Sequence, residues 1–223
     1  MKGPAQDYFG EELLAATTRK LNPSEYQGGS AAVDDNRVII TGENQFMRLS
    51  VKDGEPNSSE VSFWRTVFCP FGPGHALFLK SELTDNSWRI YSDNVAMARW
   101  LQRTIQGMLA ADTKDQGIRV IDAAFSRSGD PRNFWIEKVE TYDAEIVMTW
   151  SDFGDPILVH TRPNETPNRQ FGVCTILVPA LGGTIVLNGA QARGQLWPRD
   201  RVGRPFSTGG LGLAESWTEQ RAG

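Results

Sequence analysis

The sequence predicts a mainly β protein: an antiparallel meander closed into a barrel, or folded into two curled sheets, with two helices. Short runs in which apolar and polar residues alternate recur at roughly ten-residue intervals, the spacing typical of β-sandwiches and barrels. Turn signals rich in Gly, Pro, Asn and Asp separate these runs. Strands do not alternate with helices, which argues against a doubly wound parallel sheet. Because a long meander must close or split to protect its edges, we expect a lipocalin-like architecture around a cavity.

The alternation of apolar residues identifies the individual strands. In residues 61–68, the side chains of Val61, Phe63, Arg65 and Val67 share one face, because alternate residues of a strand point the same way. The dipeptide Asn188-Gly189 predicts a two-residue hairpin, since both residue types accept positive φ. The other predicted strands are 37–41, 46–52, 76–82, 88–92, 118–125, 134–139, 144–150, 156–160, 171–178, 184–187 and 211–217. Gly42-Glu43 predicts a turn, and 195–210 predicts a long loop.

Two segments have helical patterns. Residues 8–21 have helical composition and end before Pro23. A second helix is expected to begin at Ser92 or Asp93, whose side chains can accept hydrogen bonds from free backbone N–H groups. It carries an apolar stripe at Met97, Leu101, Ile105 and Met108. We therefore divide the chain into an N-terminal helical extension, 1–30, and a single β-barrel-like domain, 31–223.

Composition limits the partners of the protein. The chain has 223 residues, a net charge of −4 and no lysine cluster, which argues against nucleic acid as a partner. No apolar run approaches the ~18 residues of a membrane span. The N-terminus lacks the apolar segment of a secretory signal, so a cytoplasmic protein is expected. A small hydrophobic or aromatic molecule is the expected partner, and a homo-oligomer is possible.

The motifs that announce common cofactors are missing from the sequence. There is no GxGxxG after a strand, no phosphate-binding loop of the Walker type and no GxSxG. The chain has two histidines, His75 and His160, which excludes a three-histidine metal site; a site of two histidines and one carboxylate stays open. Cys69 and Cys174 lie far apart and are interpreted as buried apolar residues. We therefore expect neither a cofactor nor a bound metal.

Glu215 is the strongest candidate for a working side chain. In strand 211–217 it falls in phase with Leu211, Leu213 and Trp217, a face expected to point inward. An ionised carboxylate on an apolar face is costly unless it is paired. Burial raises the pKa of such a group, so that it can act as a general acid or base near neutral pH.

Other polar residues fall on apolar strand faces. Arg65, between Phe63 and Val67, is expected to bind an anionic or carbonyl oxygen of a ligand, or to pair with Glu215 or Asp122. Asp122 is a candidate acid, and His160 or Tyr91 could relay a second proton. The expected inward direction of these side chains requires regular strands, because a one-residue bulge reverses the alternation of faces. The tryptophans expected to line the ligand cavity are Trp64, Trp88, Trp135, Trp150 and Trp217.

These residues support three hypotheses of function. The first is a cofactor-independent acid/base enzyme of the lyase, hydratase/dehydratase or isomerase type, acting on a small, mostly apolar or aromatic substrate inside the barrel. The second is a lipocalin-like carrier that binds a small hydrophobic ligand without catalysis, which depends on an analogy of fold alone. The third is a β-sandwich that binds carbohydrate through exposed tryptophans.

Overall fold

A computed structural model describes residues 36–165, 170–201 and 204–220. The strands are β1 (Asn36–Leu49), β2 (Ser59–Phe68), β3 (Gly74–Ser81), β4 (Arg89–Ser92), β5 (Val120–Asp122), β6 (Ala124–Asp130), β7 (Phe134–Glu140), β8 (Glu145–Phe153), β9 (Ile157–Thr161), β10 (Phe171–Leu187), β11 (Ala190–Gln191), β12 (Pro198–Arg201), β13 (Arg204–Ser207) and β14 (Gly209–Gln220). One helical region is broken at Thr104 into α1 (Val95–Arg103) and α2 (Ile105–Leu109). Short 3-10 turns cover Glu82–Thr84 and Ala111–Lys114. The helix expected at 8–21, and with it the extension 1–30, lies outside the described residues.

The strands form two meanders joined by the last strand. The order in the sheet is β5-β4-β3-β2-β1-β14-β10-β8-β7-β6, and β9 and β11 pair with parts of β10. Neighbours are antiparallel except β4 and β5, which run parallel. β12 and β13 form a separate hairpin. The prediction of a mainly β fold built from antiparallel hairpins is therefore confirmed.

The sheet is a large curled half-barrel and not a closed barrel. Its two end strands, β5 and β6, are separated in the chain only by Ala123, yet they do not pair with each other. The prediction of a closed barrel is therefore wrong, although its lipocalin-like character holds in general terms. The single residue Ala123 is too short a connection to reverse the chain, so β5 and β6 cannot form a hairpin.

The two faces of the sheet bury separate cores. The inner core lies between the two halves of the curl, because its residues come from β1–β4 on one side and from β7, β8 and β10 on the other. The helix-side core lies on the opposite face, where α1 and α2 pack against β2–β4. Val61 and Phe63 belong to the inner core, whereas Trp64 belongs to the helix-side core, as the period of two requires.

Two long strands replace turns that the sequence predicts. β1 continues through Gly42-Glu43, and β10 runs without interruption through the gap expected at 179–183. A Cβ at Gly42 would clash with the backbone carbonyl of Arg65, so glycine here permits close approach of β2 rather than a turn. At the same point Thr41 pairs with Phe68 and Gly42 with Thr66, which leaves Val67 as a bulge.

The sequence signals for hairpin turns and helix caps predicted other element boundaries more accurately. Asn188 and Gly189 both have positive φ, 49° and 80°, and form the predicted hairpin between β10 and β11. The cap of α1 is Asn94, one residue beyond the predicted caps, and its side chain accepts a hydrogen bond from the Met97 N–H at 3.1 Å. The stripe residues Met97, Leu101 and Ile105 are fully buried in the helix-side core. No helix within the described residues is long and apolar enough to cross a membrane.

Candidate functional site

A bulge in β14 changes the direction of Glu215. Ala214 has a φ of 51°, and the pairing with β1 shifts between Gly42–Glu215 and Asn44–Gly212. Leu211 therefore packs in the inner core, whereas Trp217 packs in the helix-side core. The prediction that Glu215 shares a face with both residues is wrong, because the extra residue reverses the alternation between them.

Glu215 is a buried carboxyl group without a cationic partner among the described residues. Its side chain is 3% exposed, and its Oε1 accepts a hydrogen bond from Trp217 Nε1 at 2.6 Å. Burial raises its pKa to about 7, against the opposing effects of Trp217 and Thr175. A Cβ at Gly212 would lie 2.5 Å from Glu215 Oε2, so the glycine leaves the space that the carboxyl occupies.

Arg65 and Glu215 are not brought together as an ion pair. Arg65 follows Phe63 on the inner face and pairs in register with Glu43 on β1, while the Glu215 carboxyl contacts Trp217 on the opposite face. Both residues nevertheless border one open cavity of about 440 Å³, whose lining comes from β1, β2 and β14. The cavity is lined by Thr41, Gly42, Glu43, Arg65, Val67, Ala214, Glu215 and Ser216.

Five charged or titratable side chains, Glu43, Arg65, His75, Arg127 and Glu137, form what we call the inner polar cluster. Glu43, Arg65 and His75 occupy successive register positions on β1, β2 and β3. Arg127 and Glu137 pair across β6 and β7, at the far end of the sheet order. The curl brings the two groups together, since Arg127 forms ion pairs with both Glu43 and Glu137.

Glu137 is the most deeply buried carboxylate of this cluster, with no exposed side-chain area. Its Oε1 accepts hydrogen bonds from Arg127 Nε at 2.7 Å and Trp135 Nε1 at 3.0 Å, whereas its Oε2 has no partner within the described residues. Burial raises the pKa of Glu137, although the charges of Arg127 and Arg65 oppose this effect. The Arg127 guanidinium lies 4.2 Å from the centre of the Trp135 ring, a cation–π contact.

His75 is oriented by a carboxylate. Asp93 accepts two hydrogen bonds of 2.6 Å, one from the His75 backbone N–H and one shared with His75 Nδ1. The imidazole stacks on Phe125 with ring centres 5.0 Å apart. A carboxylate at Nδ1 favours the tautomer with its proton there, which leaves Nε2 as the basic nitrogen. His75 Nε2 is buried and has no partner within the described residues.

The inner face holds most of the buried side-chain polar atoms that lack a partner within the described residues. On this face they are Gln45 Oε1, Arg65 Nε, His75 Nε2 and Glu137 Oε2. Each of these residues lies two positions along its strand from a residue of the inner core. Tyr91 also belongs to that core, and its hydroxyl interacts with Arg89. Burial raises the pKa of Tyr91. Because buried polar groups in proteins are normally paired, their concentration on one face marks the region suited to a polar ligand.

Two predicted catalytic residues lie away from this region. Asp122 is exposed on the edge strand β5, and His160 is exposed on β9. On β9 the alternate residues Ile157 and Val159 face the helix-side core, so His160 points outward. The expectation that both point inward is wrong, whereas Arg65 and Tyr91 do belong to the inner face.

The tryptophans are divided between the two cores and do not form one wall. Trp64 and Trp217 lie in the helix-side core with ring centres 6.4 Å apart. Trp135 and Trp150 lie in the inner core, and Trp88 is half-buried against the helix-side core. None of the seven tryptophans, all within the described residues, is exposed. An exposed aromatic platform, on which the carbohydrate-binding hypothesis depends, is therefore not formed by tryptophan.

Sequence reasoning missed Glu43, His75, Arg127 and Glu137. Glu137 had a usable signal, since it alternates with Trp135 and Val139 on an apolar face as Arg65 does with Phe63. Glu43 was interpreted as part of a turn. His75 is 18 residues from Asp93, and only the fold brings the two together.

No family model, curated protein or solved structure matches this chain. Within the described residues, no group of three or more His, Cys, Asp or Glu side chains is arranged to hold a metal ion. The function must therefore be inferred from the chemistry of the inner polar cluster itself.

Proposed function

We propose that the protein is a cofactor-independent acid/base enzyme that transfers protons on a small, mostly apolar or aromatic substrate at the inner polar cluster. The reaction class is that of a lyase, hydratase/dehydratase or isomerase. The observation that carries the proposal is the pair His75–Asp93. It presents an unpartnered basic nitrogen, Nε2, beside an aromatic ring on the inner face.

His75 is the general base in this proposal. Asp93 holds the proton of Nδ1 and stabilises the imidazolium that forms when Nε2 accepts a proton from the substrate. The return of that proton to another substrate atom completes an isomerisation in which neither the substrate nor the enzyme gains or loses a proton overall. Phe125, stacked on the imidazole, keeps the ring in one orientation and excludes water from it.

Arg65 stabilises the negative charge that develops on the substrate. It is next to His75 in the register of β2 and β3, and its Nε has no partner within the described residues. A guanidinium in a partly dehydrated site stabilises an enolate or carboxylate oxygen more strongly than it does in water. Glu137, with its raised pKa, is the candidate for a second acid at the same site.

Exchange of carbon-bound protons tests this proposal. Phenylpyruvate, a small aromatic keto acid with acidic C3 protons, is incubated in deuterated buffer, and the loss of the C3 signal is followed by NMR. We expect the protein to accelerate exchange beyond the buffer rate and His75→Asn to abolish the acceleration, a loss of roughly 10²–10⁴-fold for a general base. His160→Asn is the matched control because it changes the other, exposed histidine. Equal rates in wild type and His75→Asn would contradict the proposed role.

A further inference from the structure

We infer that the inner polar cluster, at the cavity that Arg65 lines, selects a ligand with one negative charge: a carboxylate joined to an apolar body. Arg65 is the residue that determines this specificity. The inference deepens the proposed function and depends on the same site, but it does not depend on turnover. Three features carry it: the charge of Arg65, the carboxylates around it and the exposed apolar side chain of Val67 in the same cavity.

Arg65 is a cation without an ion-pair partner among the described side chains, although its charge acts on Glu137. Its guanidinium makes no hydrogen bond to a described residue, and its Nε is shielded from solvent. Glu43 and Glu137, the nearest candidates by register and by electrostatic effect, are both bound by Arg127. Because Arg65 borders the cavity, its guanidinium is available to a ligand from outside. A carboxylate matches the forked geometry of a guanidinium with two parallel hydrogen bonds.

The surrounding carboxylates limit the charge of the ligand. Glu43 lines the same cavity, and Asp93 lies behind His75. A ligand group with two negative charges, such as a phosphate monoester, would satisfy Arg65 with one charge and leave the other without a cation, because Arg127 is already paired with Glu43 and Glu137. A ligand with a single negative charge therefore matches the charges of the inner polar cluster best.

One exposed apolar side chain, Val67, lines the cavity together with Arg65. Val67 is the bulge residue of β2 and is 71% exposed. Covering this side chain with the apolar part of a ligand removes its surface from water, which favours binding. A carboxylate bound at Arg65 places its apolar body against Val67.

Calorimetric binding of two matched probes tests the inference. The probes are 3-phenylpropionate, which is anionic at pH 7, and 3-phenylpropanamide, its uncharged analogue of the same shape. We expect the wild-type protein to bind the carboxylate at least tenfold more tightly. Arg65→Gln should weaken carboxylate binding by roughly 10- to 100-fold, the usual effect of a charged hydrogen bond, and leave amide binding unchanged.

Two further variants separate charge from apolar contact. Arg119→Gln removes an exposed arginine elsewhere and should leave the binding of both probes unchanged, with circular dichroism confirming that every variant is folded. Val67→Ser should weaken both probes by a similar factor, since it removes apolar contact and no charge.

The outcomes distinguish this inference from the proposed function. Equal affinity for the two probes, failure of both to bind, or equal weakening of both by Arg65→Gln would overturn the inference. Selective carboxylate binding without proton exchange by the wild-type protein would support the inference while the proposed enzyme fails, and would favour the carrier hypothesis.

Discussion

The substitution Glu215→Gln is expected to change how the stability of the protein depends on pH. Glutamine has nearly the same shape as glutamate and keeps a side-chain oxygen for the hydrogen bond from Trp217 Nε1. It cannot ionise, so it removes the titration of this one group. Because Glu215 is 3% exposed and has no cationic partner among the described residues, almost all of the cost of its ionisation falls on the folded state.

The size and sign of the effect follow from the pKa of Glu215. Burial raises this pKa from an ordinary 4.5 to about 7. Between these two pH values the unfolded chain has released the proton while the folded protein still holds it, so the free energy of unfolding falls as pH rises. At about 1.4 kcal/mol for each tenfold change in the proton equilibrium, the loss approaches about 3 kcal/mol above pH 7. Below the ordinary pKa of glutamate this loss disappears.

Urea unfolding at several pH values between 4 and 8 measures the effect. We expect Glu215→Gln and wild type to differ least at pH 4, and the variant to become relatively more stable by about 3 kcal/mol by pH 8. Glu55→Gln, an exposed glutamate in the turn after β1, is the control and should show no such change. A constant difference between Glu215→Gln and wild type over this range would refute the reasoning, because it would mean that Glu215 does not hold its proton in the folded state.

Three other substitutions test features of the sheet. Arg127→Met leaves Glu137 as a buried, unpaired charge and should lower the free energy of urea unfolding by about 3–5 kcal/mol. Lys138→Met removes a solvent-accessible ion pair and should lower it far less; equal losses would argue against the buried pairing. Ala214→Gly should raise the melting temperature, because glycine adopts the φ of 51° without the cost of about 1 kcal/mol that alanine incurs; a lower melting temperature would contradict the bulge. Gly212→Ala should destabilise the protein by about 1–3 kcal/mol in urea unfolding, since its Cβ would meet the Glu215 carboxyl, and unchanged stability would disprove this contact.

Regular alternation was the part of the fold that the sequence predicted well. Val61, Phe63 and Arg65 share the inner face as predicted, and so do Ile146 and Met148 on β8. These strands are buried on at least one face along most of their length, so the apolar pattern fixes their phase directly. Arg65 was correctly placed on the inner face for the same reason.

The errors arise where the backbone departs from regular geometry. Alanine carries no signal for a positive φ, so the bulge at Ala214 could not be read from the sequence, and it reversed the direction of Glu215. Gly42 serves a close approach of two strands, which looks the same in sequence as a turn. His75 and Asp93 meet only because β4 pairs with β3 and leads into α1, a relation that local pattern does not encode.

The ion pair between Arg127 and Glu43 has a consequence for the order of folding. The two residues are 84 positions apart in the chain, and they belong to different meanders of the sheet. Contacts this distant in sequence form late, since the entropy of closing the loop between them must first be offset by nearer contacts. We therefore expect the inner polar cluster to form after the hairpins within each meander, so that ligand affinity is acquired later than local strand pairing.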